Sequence, residues 1–220
     1  MGAASHLGIN LGEYDAVIRT LIPHYQELID AAGAAVGVLT GPAPAVVDLG
    51  TGSGALAQAI LKARPRARLT GIDEDAGMLA MAEKRLRGRI TTVHGNFETT
   101  AIPGCDVVSA SFALHHIRTS RRKAALYRRA FAALKRGGLI VSADSFLASS
   151  AAIQTRDRAS WLAHLQQRYP RAKAAGFLKA WAKQDVYFTL EQERALLQRA
   201  GFKVEIAFRK TCFAVIVGLK

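Results

Sequence analysis

The stretch Val46-Val47-Asp48-Leu49-Gly50-Thr51-Gly52-Ser53-Gly54 decides the fold of this chain. Ala45 and the four residues after it form a short apolar run interrupted by one carboxylate. That is the pattern of a parallel strand buried on both faces. Three glycines at alternating positions follow, and then residues 55–63, rich in alanine and leucine, which favour helix. Strand, glycine turn and helix in this order set the turn at a helix N-terminus, whose first N–H groups lack intrahelical partners. Glycine there permits positive φ and lets a ligand approach the backbone closely.

The pattern repeats downstream. Residues 69–72 read as a second strand, 78–86 as a helix, 90–93 as a third strand and 105–110 as a fourth. Residues 119–134 read as a long helix stopped by Gly137-Gly138, and 139–143 as a fifth strand. Short connections between parallel strands require crossovers, so the spacing predicts a doubly wound α/β sheet. Upstream, residues 12–34 carry helical periodicity that Pro23 divides in two. After the fifth strand the alternation stops. Residues 149–184 read as two helices with a break near Pro170. A further helix over 189–200 opens with Thr189 and Gln192 in capping-box positions. Residues 202–208 and 213–217 then form two strands whose short link demands antiparallel pairing. The expectation is one domain over 1–220. It has a mostly parallel seven-stranded sheet with an antiparallel C-terminal strand, a helical cap over 12–35 and a helical lid insertion over 145–188.

Composition narrows the class. The chain has 220 residues, half of them hydrophobic, which is enough for a sizeable core. Two cysteines build neither a disulfide scaffold nor a four-thiolate zinc site. No apolar run is long enough to span a bilayer, and Met1 to Leu11 lacks the basic and apolar segments of a leader. A cytoplasmic protein with no membrane partner is expected. The formal charge of +13 admits an anionic substrate or nucleic acid, and equally a basic surface without a partner.

Asp73 lies 19 residues past Gly54, at the end of the second strand, where a carboxylate can accept both hydroxyls of a ribose. A nucleoside-containing cofactor is therefore expected, and two compete. Gly50-x-Gly52-x-x-Ala55 fits a dinucleotide site loosely. Asp48, two positions before the first glycine, would repel a pyrophosphate and suits a cofactor with a cationic amino group.

The chain resembles the class I S-adenosylmethionine-dependent methyltransferases, most closely over residues 46–143. The stretch 46–54 is similar to that family's first motif. Gly71-Ile72-Asp73 with Met78, Leu79 and Ala82 is similar to the second, and Gly95-Asn96-Phe97 stands where the family often has Gly-Asp-Phe. Ser109 to Ile117 resembles the fourth-strand segment, and Leu134-Lys135-Arg136-Gly137-Gly138 the turn before the fifth strand. The resemblance implies a Rossmann-like methyltransferase fold with S-adenosyl-L-methionine as cofactor. It places Asp48, Gly50, Thr51, Gly52 and Gly54 around the turn, Asp73 and Glu74 at the ribose, and Met78, Asn96 and Phe97 near the adenine. Ser111 is counted with the same site. Asn96 replaces the common acid and can still accept from the adenine amino group. Tyr14 and Arg19 on the cap are expected over the cofactor, with Arg19 on its carboxylate and Tyr25 beside them.

His115 and Asp144 are the catalytic candidates. Both sit at the carboxyl edge of the sheet, where ligands bind in open α/β folds, and a histidine can take a proton near neutral pH. His116 is the weaker of the His pair. No third ligand lies near them in sequence, so no metal is expected. The insertion carries both tryptophans, Trp161 and Trp181, among other aromatics. They suit a lid over a planar or apolar acceptor, and serve equally as helix packing or a homodimer interface. A small-molecule methyl acceptor is the leading expectation. A tRNA-modifying enzyme, favoured by the basic stretches 118–136 and 156–183, and a non-catalytic cofactor-binding partner protein are the alternatives.

Overall fold

The computed structural model describes residues 11–220. The leader-free reading of Met1 to Leu11 falls, apart from Leu11, outside the described residues. Helices α1 (Tyr14–Leu21) and α2 (Tyr25–Leu39) precede the sheet, with Pro23 in the bend between them. Strands and helices then alternate: β1 (Ala45–Leu49), α3 (Ala55–Ala63), β2 (Arg68–Asp73), α4 (Ala76–Leu86), β3 (Ile90–His94), β4 (Cys105–Ser111), α5 (Ser120–Ala133) and β5 (Leu134–Ser145). Helices α6 (Ala151–Gln166), α7 (Arg171–Gln184) and α8 (Leu190–Arg199) follow, and β6 (Lys203–Lys210) and β7 (Phe213–Leu219) end the chain.

The seven strands pair in the order β3-β2-β1-β4-β5-β7-β6. Pairing is parallel from β3 through β5. β7 inserts antiparallel between β5 and β6, so six strands share one direction. Alternation along each strand divides the core in two. Val46, Val107, Leu139 and Val141 face a layer built by α1, α2, α3, α6 and α7. Val47, Val108 and Ile140 face the opposite layer, with α5 and α8. The capping box of α8 forms as expected, Thr189 accepting from the Gln192 N–H and Gln192 from the Thr189 N–H.

One local expectation differs. β5 starts at Leu134, immediately after α5, so Gly137-Gly138 lie inside a strand and do not stop the helix. Gly138 fits that strand because a Cβ on it would stand 2.9 Å from the Asp106 and Lys135 carbonyl oxygens.

Buried polar groups tie the helices to one another within each layer. Lys123 on α5 bonds Glu193 on α8 at 2.9 Å, both fully buried, and Tyr127 donates to the same carboxylate. Trp161 on α6 donates from Nε1 to the Leu21 carbonyl at 2.8 Å and packs edge-on to Phe213 at 4.9 Å. The helical insertion is thereby fastened to both α1 and β7.

Candidate functional site

The carboxyl ends of β1, β2 and β4 open into a cavity of about 410 Å³. The glycine turn forms its floor. Gly50 takes φ +63°, and a Cβ there would meet the Ala113 methyl at 2.6 Å. Gly52 takes φ +53°, with open space where its Cβ would stand, so any side chain there projects into the ligand's volume under strain. The Gly50 and Thr51 N–H groups both donate to the Ile72 carbonyl, which locks the turn onto β2.

Asp73 closes this corner. It accepts from the Gly52 N–H at 2.8 Å and from the Asp75 N–H at 2.9 Å, one bond on each oxygen. Each oxygen keeps a further acceptor site, and the carboxylate lines the cavity. Burial raises its pKa above the ordinary value, and the two backbone bonds only partly offset this. Asn96 and Glu74 line the same wall and bond each other at 3.2 Å. The Asn96 oxygen is already engaged by the Glu98 N–H at 2.8 Å, a local bond invisible in the motif.

Thr51, Phe97, Ser111 and Tyr14 also line this cavity. Four expected cofactor residues do not. Asp48 lies beneath the turn, fully buried, accepting from Thr51 Oγ1 at 2.7 Å and Ser109 Oγ at 2.6 Å. Burial pushes its pKa up to about 6 against those two bonds. It organises the turn from below and does not line the cavity. Met78 is fully buried in the core, and Gly54 packs against Ala82. Arg19 bonds Gln26 and lies over the Tyr25 ring at 5.7 Å, away from the cavity wall. A different acid on α1 reaches the turn: Asp15 accepts from Ser53 Oγ at 2.7 Å and pairs with Arg85.

His115 and Asp144 form a buried pair, Nδ1 to Oδ1 at 2.6 Å. Asp144 ends beside the adjacent strand's loop because β4 and β5 are in register there, Ser111 opposite Ala143. It also accepts from the Ser145 N–H. Burial acts to lower the His115 pKa, but Asp144 and Asp185 outweigh it and the net displacement is upward. Burial acts to raise the Asp144 pKa, and His115 and Lys123 reverse it to a net lowering. Asp185 lies 3.2 Å from His116 Nδ1 and 3.9 Å from His115 Nε2. Sequence spacing gave no hint of this third group, which arrives at the end of α7.

His115 lines a narrow second cavity of about 50 Å³, which shares Tyr14, Phe112 and His116 with the first. Phe112 holds φ +48°, a costly conformation for a bulky residue, and stacks on Tyr25 at 5.6 Å. A third, apolar chamber of about 380 Å³ shares Ser145, Trp161, Trp181 and Tyr187 with the neck. Phe112, Arg118, Gln184 and Tyr187 in these walls were not singled out in the sequence as cofactor or catalytic residues. Only the aromatic content of the insertion pointed toward Tyr187.

Residues 46–138 match the model of a methyltransferase domain. The chain is 20% identical to the carboxy-S-adenosyl-L-methionine synthase of Nautilia profundicola, over 94% of this chain and 90% of the relative. It is 24% identical to the enzyme of the same name from Campylobacter hominis, with the same coverage. In structure it is similar to an O-methyltransferase family protein from Burkholderia thailandensis, with TM-score 0.71 and 15% identity, over 100% of this chain and 63% of that one. Human N-acetylserotonin methyltransferase, solved with S-adenosylmethionine, shares the fold at TM-score 0.58 and 20% identity, over 95% of this chain and 66% of that one. The methyltransferase-domain match over residues 46–138 and the relatives along 94% of the chain support a class I S-adenosylmethionine-dependent methyltransferase, an enzyme with S-adenosylmethionine as its cofactor.

Proposed function

We propose that this enzyme methylates a small molecule at a hydroxyl or amine that must lose a proton, with His115 as the base. The observation that carries the reading is the 2.6 Å bond from Asp144 to His115 Nδ1, with His115 in the wall of the neck beside the cofactor cavity. A carboxylate on Nδ1 fixes the tautomer whose Nε2 lone pair is available to take a proton. The glycine turn and Asp73 would hold the cofactor. When bound, it supplies a methyl carbon on a positively charged sulfur. The chain's own contribution is then alignment, exclusion of water by Phe112, Tyr14 and the insertion, and removal of the acceptor's proton.

Two observations bear on other acceptors. Several residues of the first basic stretch are engaged within the chain: Arg122 with Glu98, Lys123 with Glu193, Arg129 with the Glu98 and Thr100 carbonyls, Lys135 with Asp106. This weighs against a nucleic-acid track there. The curated relatives named carboxy-S-adenosyl-L-methionine synthase, aligned along most of the chain, favour a second reading. In it the cofactor's methyl carbon stays on sulfur, loses a proton and bonds to CO2 released by a carboxylic-acid donor, whose remaining fragment takes up the proton.

One experiment separates these readings. The enzyme is incubated with S-adenosylmethionine, a library of phenols and amines and a set of carboxylic acids able to lose CO2, and products are followed by mass spectrometry. Methyl transfer predicts S-adenosylhomocysteine in equal amount with a methylated acceptor. A carboxylated cofactor without S-adenosylhomocysteine overturns the first reading in favour of the second.

A further inference from the structure

Asp157, on the α6 face that also carries Trp161, is 4% exposed, and neither of its carboxylate oxygens has a hydrogen-bond partner among the described residues. It lines the 380 Å³ chamber behind the His115 neck. Buried carboxylates are ordinarily paired, because leaving water without a partner is costly. Here the cost is maintained in a chamber whose walls include Phe146, Trp161, Trp181 and Tyr187. Such aromatic faces attract a cation electrostatically and repel an anion. The two tryptophan rings are 5.5 Å apart and inclined at 34°, and Phe177 stacks behind Trp181 at 5.7 Å, so the wall is braced from outside.

The other polar groups in the chamber do not neutralise Asp157. The Trp161 N–H is spent on the Leu21 carbonyl. Burial pushes the Cys212 thiol up to about 11, so it stays neutral. Arg158, the basic residue among the described lining residues, is exposed.

We propose that this chamber binds an organic cation, a protonated amine on an aromatic or apolar skeleton, with Asp157 as its counter-ion. The neck shares Ser145, Trp161, Trp181 and Tyr187 with the chamber and Tyr14, Phe112 and His116 with the cofactor cavity, so the three spaces lie side by side. The binding claim stands alone. That the bound amine is the methyl acceptor rests on the methyl-transfer reading. Selectivity follows from contrast: in a chain of net charge +13, the chamber is a mainly apolar volume with a buried carboxylate in its wall.

Both tryptophans of the chain line this chamber, so intrinsic fluorescence reports on it directly. The full chain, without cofactor, is titrated with phenethylamine and with its neutral counterpart 2-phenylethanol. The amine is expected to bind about tenfold or more tighter than the alcohol, the worth of one charge-assisted hydrogen bond. Asp157→Asn is expected to abolish that preference and leave the alcohol unchanged, with thermal melting and cofactor titration confirming its fold. His115→Gln is expected to keep it. Equal affinity of amine and alcohol for the wild type, no saturable response to either, or an undiminished preference in folded Asp157→Asn overturns the proposal. Amine binding without any methylated product sinks the methyl-transfer reading alone. Methylation of neutral acceptors with no amine preference sinks the chamber's assignment alone.

Discussion

His115 Nδ1 and Asp144 Oδ1 meet at 2.6 Å, both side chains buried, across the adjacent ends of β4 and β5. Asp144 and Asp185 draw the imidazole toward its charged form, while burial and Lys123 oppose them, and the histidine's pKa is displaced upward. Tyr187 packs on the ring at 5.5 Å and His116 at 4.2 Å.

A base must be neutral to act, so the acidic limb of the pH–rate profile is expected to have its midpoint above the ordinary histidine value of about 6.5. His115→Gln is expected to remove the limb and cut turnover by roughly 10²–10⁴-fold. The pair's effect on stability has two edges. A raised histidine pKa contributes stability present below the unfolded value and lost as pH rises through the folded one. A lowered Asp144 pKa contributes stability present above its unfolded value and lost as pH falls through the folded one. The melting-temperature difference between wild type and His115→Gln should therefore be largest in mildly acidic solution, between about 4 and 6.5. A difference flat across pH would show that the pair carries no charge.

Gly52→Val is expected to abolish cofactor binding while the chain stays folded. A branched side chain at φ +53° is strained, and the space around its Cβ is the cavity itself. Calorimetric titration with S-adenosylmethionine decides it, and unchanged affinity would move the cofactor elsewhere.

Asp73→Ala is expected to weaken the cofactor by roughly 1.5–3 kcal/mol, the worth of hydrogen bonds to a charged acceptor. That is on the order of 10- to 150-fold in dissociation constant. NADH titrated in parallel is expected to show no specific binding. Tighter binding of NADH than of S-adenosylmethionine would contradict the cofactor assignment.

Trp161→Ala is expected to destabilise the fold by about 3–5 kcal/mol, because it vacates core volume beside Phe213 and orphans the Leu21 carbonyl. Trp161 is thus a brace as well as a chamber wall. Trp181→Phe, which keeps an aromatic face, is expected to leave cofactor affinity within about threefold, since Trp181 is not in the cofactor cavity's wall. Thermal melts beside cofactor titrations check both. A tenfold loss of cofactor affinity in Trp181→Phe would tie the insertion to the cofactor cavity.

Lys123→Met is expected to cost about 3–5 kcal/mol by leaving Glu193 buried without its cation. Lys123→Met combined with Glu193→Leu should recover much of that loss. Urea unfolding of the three proteins tests it, and additive losses in the double variant would count against coupling.

The chain order alone was enough for the architecture. Apolar runs between Val46 and Ala143, each followed by a crossover, leave a parallel sheet as the only way to pair the strands, and the short link after Lys210 requires β7 to run antiparallel. The glycine turn and Asp73 were legible because their chemistry is local: three positive-φ glycines and an acid at the end of the next strand. What lay beyond local chemistry was decided by tertiary packing. Asp48 and Met78 sit in the motifs yet do not line the cavity, because strand register pairs Asp48 with Ser109 and the α4 face buries Met78. Arg19 bonds Gln26 and does not line the cavity either, while Asp15 reaches the turn. Asp144, Asp185 and Asp157 acquire their meaning from partners, or the lack of them, that sequence spacing does not encode. Burial, which sets both the pKa shifts and the cost of an unpaired carboxylate, is a property of the assembled layers. The sequence therefore determined the sheet and its glycine turn, and the tertiary structure decided which acids line a cavity, because only packing removes water from some of them and leaves others without a partner.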